Sequence, residues 1–348
     1  VFIRYEAFSR LMTDIYDNDN HLYVFHVDIK SEKSLLKKIY NDYCDPKANC
    51  DRISPRNVGW GGLSTGEMML ALMQQAYESS FKWDYFILIG HESVPLKSLH
   101  FTERFLAIQP KGSNFVNCWE VEGYDFWGQW EDNSSRLTRI AVEDFNGSMP
   151  SVLGQSRIVP TLRFLGGEES ESEEDGIGSV VRFYKSIQLA VVSNEFVQYA
   201  IYSQNTRLLL IYMSNIKNSD EMILPTLLHA NKTLSAKTHC ASTLHFNHWS
   251  RPGGSWHPAY LTLEHLPLLL NSSDLFARKM ELELIPNDRV KLNGKKFAGY
   301  SADIYEILLK IRKLYDEKVE PIALSVGAPP SPVYNTNSKR IPSVPKPV

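Results

Sequence analysis

Trp83-Asp-Tyr-Phe-Ile-Leu-Ile89, running straight into Gly90-His-Glu-Ser-Val-Pro-Leu-Lys97, is the stretch that decides the fold class. Its first half is almost continuously apolar and of strand length, which suits a strand covered on both faces of a sheet. Immediately upstream, Ser64 and Glu67 have the spacing in which a hydroxyl and a carboxylate each cap an orphan amide. The Met/Leu/Ala-rich residues after them, to about Ser80, predict a helix. Earlier still, Tyr5, Phe8, Leu11, Met12 and Ile15 recur at helical spacing. The Asp17-Asn-Asp-Asn20 turn then precedes the β-like run Leu22-Tyr-Val-Phe25. A second helix is predicted over Ser31 to Tyr40, followed by a loop to about Gly59. Helix, strand, helix, strand is the order of an α/β fold.

Downstream, a strand is expected at Phe115 to Cys118, and apolar strands near Val181 to Val192. Residues 120–180 read as a loop-rich insertion rich in aromatics, Gly and Pro, and the acidic run Glu168 to Asp175 reads as solvated loop. Ser193, Ser219 and Thr262 can each cap a helix, Arg207 to Ile216 is an apolar segment, and Tyr300 to Lys318 carries a final amphipathic pattern. The Pro- and Ser-rich tail, 328–348, should be extended or disordered.

The 348 residues can fill a sizeable core, and 37 Lys+Arg against 40 Asp+Glu leave a formal net charge of −3. That balance lacks the positive excess of a phosphate-backbone binder, so nucleic acid is not an expected partner. The longest apolar runs, such as Leu208 to Met213, are far shorter than the roughly 18 residues of a spanning helix. The chain begins at Val1 with neither a Met nor a signal-peptide pattern, and it reads as a fragment whose upstream targeting segment is missing. Cys44, Cys50, Cys118 and Cys240 form no CxxC motif, and the first two at most close a local loop. Asn133, Asn146, Asn231 and Asn271 each begin an N-x-S/T triplet, which leans toward the secretory pathway.

An ordered set of strings carries a further signal: Tyr23-Val-Phe-His-Val-Asp28, Val58-Gly-Trp-Gly-Gly-Leu-Ser64, Lys82-Trp-Asp-Tyr-Phe86 and Gly90 to Lys97. Val192-Ser-Asn-Glu-Phe-Val197, Ser219-Asp-Glu221, His248-Trp-Ser-Arg-Pro-Gly-Gly254 with His257-Pro258, and Leu275-Phe-Ala-Arg-Lys-Met280 continue it. Together they resemble the core-2/I-branching family, glycosyltransferase family 14, which includes β-1,6-N-acetylglucosaminyltransferases and peptide O-xylosyltransferases. The resemblance implies one GT-A-like α/β domain over 1–327, a nucleotide-sugar-binding mixed sheet flanked by helices. Its donor-binding part would cover about 1–118 and its acceptor and catalytic part about 180–320. It also implies a first strand and a membrane anchor upstream of Val1, hence a type II protein of the Golgi lumen that meets the membrane only through that anchor.

The implied reaction moves a sugar, N-acetylglucosamine ahead of xylose, from a UDP donor to a hydroxyl on a glycan or glycoprotein, with inversion. One-step inversion needs a carboxylate to take the acceptor proton and cations to stabilise the departing diphosphate. By resemblance Glu221 is the base, with Asp220 beside it for capping or acceptor contact. Lys279 is the phosphate-binding lysine, helped by Arg278 and Arg251. His26, Val27 and Asp28, at a strand end, belong to the uridine pocket. Trp60 and Gly61 shape the donor site, Glu92 and Ser93 reach sugar or acceptor, and Trp249 offers a stacking face. No metal or other cofactor is expected: the single D-x-D string, Asp17-Asn-Asp19, precedes a strand and reads as a turn.

Two departures stand against the family pattern. His245 occupies a place where an arginine is frequent, so Arg251 compensates, the histidine is protonated by the diphosphate, or activity is reduced. Ser93 aligns with a frequent aspartate. A carbohydrate-binding relative without catalysis is the non-enzymatic rival. A glycoside hydrolase would need a second opposed carboxylate, which the sequence does not offer convincingly.

Overall fold

A computed structural model describes residues 5–44, 49–121, 139–142, 151–156, 181–249, 258–280, 308–309 and 312–313. It opens with α1 (Tyr5–Ile15), whose Phe8, Leu11, Met12 and Ile15 are all buried, as the helical spacing requires. The Asp17 carboxylate then accepts the amides of Asp19 and Asn20 at 2.8 and 2.7 Å, so the D-x-D string is an Asx turn. The turn feeds β1 (Tyr23–Phe25), which runs parallel to β2 (Cys50–Arg52) with Tyr23 opposite Cys50. Parallel neighbours need a crossover, and α2 (Lys33–Tyr43) supplies it. Cys44 and Cys50 close a local disulfide between that helix and β2.

α3 (Leu63–Glu78) leads to β3 (Tyr85–Leu88). The expected capping box does not form. The N-cap is Gly62, and Ser64 lies inside the helix, its hydroxyl accepting the Gly59 amide at 2.8 Å. The glycine-rich entry turn therefore sets the helix start at Leu63, two residues earlier than a Ser64 cap would. β4 (Val94–Pro95), α4 (Leu99–Ala107), β5 (Asn114–Phe115) and β6 (Trp119–Glu120) follow. Within 120–180 a hairpin pairs β7 (Arg139–Val142) with β8 (Ser151–Ser156), while the acidic run lies outside the described residues.

Regular structure resumes with β9 (Tyr184–Lys185) and β10 (Ala190–Ser193), then α5 (Asn194–Tyr202), α6 (Gln204–Met213), α7 (Asp220–Ala230) and α8 (Lys232–Ala236). Ser193 caps α5 as expected, accepting the Phe196 amide. Ser219 holds the N-cap place of α7, but its buried hydroxyl does not cap. β11 (Thr238–His239), β12 (His245–Asn247), α9 (Leu266–Leu270) and β13 (Phe276–Arg278) complete the order. Of the expected final helix, 308–309 and 312–313 are described and helical; Leu308 is buried and Arg312 pairs with Asp14 of α1 at 3.2 Å. The tail 328–348 lies outside the described residues.

The sheets join early and late sequence. β11-β5-β10-β3 is a mixed four-stranded sheet and β12-β13-β4 a mixed three-stranded one. β3 confirms the reading of its apolar run. Phe86 and Leu88 pack into the core under α3, α5 and α7, while Tyr85, Ile87 and Ile89 pack into the core under α1, α2 and α4. β10 does the same with Val192 on one side and Val191 on the other. The result is a mixed α/β fold with helices on both faces of its sheet.

β1 ladders with β2 alone, and β3 with β10 alone, among the described residues. Between these two edges lies a cavity of about 430 Å³, with α1 and α3 side chains on its walls. Trp83 Nε1 donates to Ala76 O near the end of α3, and Val58 N, ahead of α3, donates to Asp28 after β1. Both strands therefore run opposite to α3, and their C-terminal ends open on one side of the cavity.

Candidate active site

That open end collects much of the chemistry read from the sequence. β13 is the middle strand of its sheet, with Arg278 opposite Asn247 of β12, and Lys279 is the next residue. Backbone bonds fix the run-out: Leu261 N donates to Lys279 O, and Met280 N to Glu92 O, each at 2.9 Å. The second bond ties Arg278 and Lys279 to the loop after β3. In that loop Ser93 N donates to Gly90 O at 2.9 Å and Gly90 N to the Ser93 hydroxyl at 3.3 Å. Ser93 is buried and closes the turn, whereas Glu92 projects from it.

One Glu92 oxygen, Oε2, faces both cations, 3.8 Å from Arg278 Nη2 and 3.9 Å from Lys279 Nζ. The other accepts the Tyr260 hydroxyl at 3.4 Å. Burial pushes the Lys279 ammonium below its ordinary pKa and the Arg278 charge lowers it further, against the opposing pull of Glu92.

Glu221 stands in the first turn of α7, with Asp220 before it. Its carbonyl accepts Ser186 N at 2.8 Å, and its carboxylate lies 3.3 Å from the buried Lys185 ammonium. Its charge also acts on Arg278, so base candidate and cations share one electrostatic neighbourhood. Asp220, Arg278, Glu92, His26, Val27, Asp28, Trp60 and Gly61 all line the cavity. Gly61 is required by its backbone: φ is +71°, and a Cβ there would lie 2.3 Å from Asn218 Oδ1.

Residues 2–268 match the family described as Branch, Core-2/I-Branching enzyme. The chain belongs to that family, glycosyltransferase family 14. It is 30% identical over 107 residues to Xylosyltransferase oxt of Drosophila melanogaster, covering 31% of this chain and 12% of that protein. It is 23% identical over 297 residues to Beta-glucuronosyltransferase GlcAT14A of Arabidopsis thaliana, covering 80% of this chain and 59% of that protein. The chain thus spans less than two thirds of the length of these curated relatives.

Within this candidate site, several expected residues are already engaged. Asp28 is buried; its Oδ1 accepts Lys30 N, and its Oδ2 meets Lys30 Nζ at 2.8 Å and Val58 N at 3.2 Å. Burial raises its carboxyl, but the Lys30 contacts and the Val58 amide outweigh that and hold it below the usual range. Asp28 thereby staples the end of β1 to the turn before α3. His26 accepts the Arg56 amide through Nε2, and burial lowers its pKa. Trp249 is 45% exposed and is not among the cavity residues. Arg251 lies outside the described residues.

His245 does not take the place of an arginine. It is buried, stacked on Phe276, and its Nδ1 lies 2.6 Å from the Thr243 carbonyl, an acceptor that fixes the proton on Nδ1. Burial chiefly, with the Arg278 charge, holds its pKa down to about 4, so protonation by a bound diphosphate is the disfavoured option of the three. Lys185, Lys30 and Tyr260 were not singled out by sequence. Lys185 follows Tyr184 in an ordinary short strand, and Glu221 reaches it only once α7 packs on β9.

His245 also makes a stability prediction. Its folded pKa lies below the unfolded value near 6.5, so below that pH the unfolded chain binds more protons and stability falls as pH drops toward 4. Urea unfolding at pH 7 and pH 4.5 should show a loss, of which His245 contributes on the order of 2 kcal/mol. His245→Leu should remove that share whatever it does to stability at pH 7.

Proposed function

We propose that the protein is an inverting, metal-independent glycosyltransferase that moves N-acetylglucosamine from a UDP donor to a hydroxyl of a glycan or glycoprotein. The observation that carries the reading is that Arg278 and Asp220 line one cavity, with Lys279 and Glu221 the next residues along the chain and the Glu221 charge acting on Arg278. Cations on one element and a carboxylate on another are what an in-line displacement at an anomeric carbon requires.

In this reading Glu221 takes the proton of the acceptor hydroxyl as its oxygen bonds to the anomeric carbon. The bond from that carbon to the β-phosphate oxygen breaks, and the charge gathering on UDP is met by Lys279 and Arg278. The guanidinium supplies paired donors and the ammonium a compact charge, together replacing a divalent ion. Lys185 helps keep the Glu221 side chain placed through its 3.3 Å contact. Trp60, Gly61, His26 and Asp220 line the cavity; the first three are assigned to the donor and Asp220 to the acceptor.

Two disulfides, Cys44–Cys50 and Cys118–Cys240, and the exposed triplet at Asn271 support a lumenal location in the Golgi. No helix among the described residues is long and apolar enough to cross a membrane. UDP-xylose is the second donor reading, favoured by the local 30% identity to a xylosyltransferase.

Donor-dependent release of UDP tests the assignment across UDP-N-acetylglucosamine, UDP-xylose and UDP-glucuronate, with and without EDTA. Glu221→Gln should lower kcat by about 10²- to 10⁴-fold with UDP affinity preserved. Activity should persist in EDTA, and strict dependence on Mn²⁺ would refute the cation clamp.

A pH profile tests Lys279 separately. Because its pKa is lowered, affinity for UDP should fall as pH rises at values below the ordinary lysine pKa near 10.4. Lys279→Arg should flatten that alkaline limb, since a guanidinium stays charged.

A further inference from the structure

The two cations assigned to the diphosphate are not empty-handed. Glu92 Oε2 reaches toward both from 3.8 and 3.9 Å, so a carboxylate stands where the diphosphate oxygens would have to come. Its backbone is pinned through Met280 N, yet among the described residues its side chain is held only by these two long contacts and a 3.4 Å bond from Tyr260. It also lines the cavity. An anchored main chain with a lightly held carboxylate is suited to moving without disturbing the loop. Ser93, whose hydroxyl closes the turn, is not built that way.

We propose that Glu92 is an internal counter-anion of the donor site: it neutralises Arg278 and Lys279 while the site is empty and is displaced from them when a diphosphate binds. This rests on the assignment of these cations to the diphosphate. Partly buried cations without a facing anion are costly, so the empty site is stabilised by Glu92. The same contact opposes the donor, whose phosphates must replace a carboxylate rather than water. Glu92 is thereby a residue that sets affinity for the donor and for the UDP product.

The test is equilibrium binding of UDP, inorganic pyrophosphate and uridine to the protein and to Glu92→Gln, by titration calorimetry. Removing the competing charge should tighten UDP and pyrophosphate by roughly 3- to 10-fold and leave uridine unchanged. In the double variant Glu92→Gln/Lys279→Ala the gain should shrink, because one of the competed cations is gone. Unchanged or weaker UDP binding by Glu92→Gln, with Lys279→Ala alone still impairing UDP, would overturn the counter-anion role and leave the donor assignment standing. UDP binding indifferent to Lys279→Ala and Arg278→Ala would overturn both. A circular dichroism spectrum and melting curve for each variant separate loss of the site from loss of the fold.

Discussion

Arg278 and Lys279 are consecutive cations drawn partly out of water at the end of a strand, and charge so placed persists only where anions face it. Much of the local architecture meets that constraint. β13 is held between β12 and β4, the main chain after it is tied to Leu261 and to Glu92, and the Glu92 carboxylate turns toward both cations. The rule repeats where Glu221 of α7 finds Lys185 of β9. It repeats again at the end of β1, where Asp28 is buried against Lys30. In each place a carboxylate faces an ammonium, and Asp28 and Glu92 of these pairs line the cavity.

The fold was largely legible because its signals are local. The helical spacing from Tyr5 to Ile15 and the apolar run from Trp83 to Ile89 name their elements without help from the rest of the chain. Where the reading slipped, the cause was competition between local caps. Ser64 and Glu67 have capping-box spacing, but the glycine-rich turn starts α3 at Leu63 and leaves Ser64 to hold Gly59. Arg207 to Ile216 reads in sequence only as an apolar segment; most of it lies in α6, where Leu209, Tyr212 and Met213 are buried while Ile211 stays exposed.

The site was legible as a set of residue types but not as pairs. Sequence placed Glu221, Lys279, Arg278 and Glu92 by their strings. That Glu92 contacts the two cations depends on strands 180 residues apart lying side by side, β4 pairing with β13. Lys185 left no trace in the sequence, because a lysine in a short strand is an ordinary surface residue until a helix carboxylate is packed over it. Asp28 shows the reverse. Its strand-end position suggested a ligand contact, and its burial assigns it first to the loop that shapes the cavity.

His245 and Glu92 push the donor site in one direction. A buried neutral imidazole subtracts a cation from the place where the family frequently has one, and a carboxylate facing the two remaining cations subtracts part of their field. Under the proposed reading both weaken the grip on a diphosphate before the reaction and after it. A change that weakens donor and leaving group alike does not by itself slow the chemical step; it raises the donor concentration needed and loosens the product. Where release of the nucleotide limits turnover, a weaker clamp shortens that step. Under that reading a neutral His245 and a facing Glu92 are therefore compatible with catalysis, provided Glu221 keeps its place. That place depends on Ser186 N at its carbonyl and Lys185 at its carboxylate, neither of which belongs to the diphosphate side. Clamp strength and base position are set by different strands, so one can change without the other.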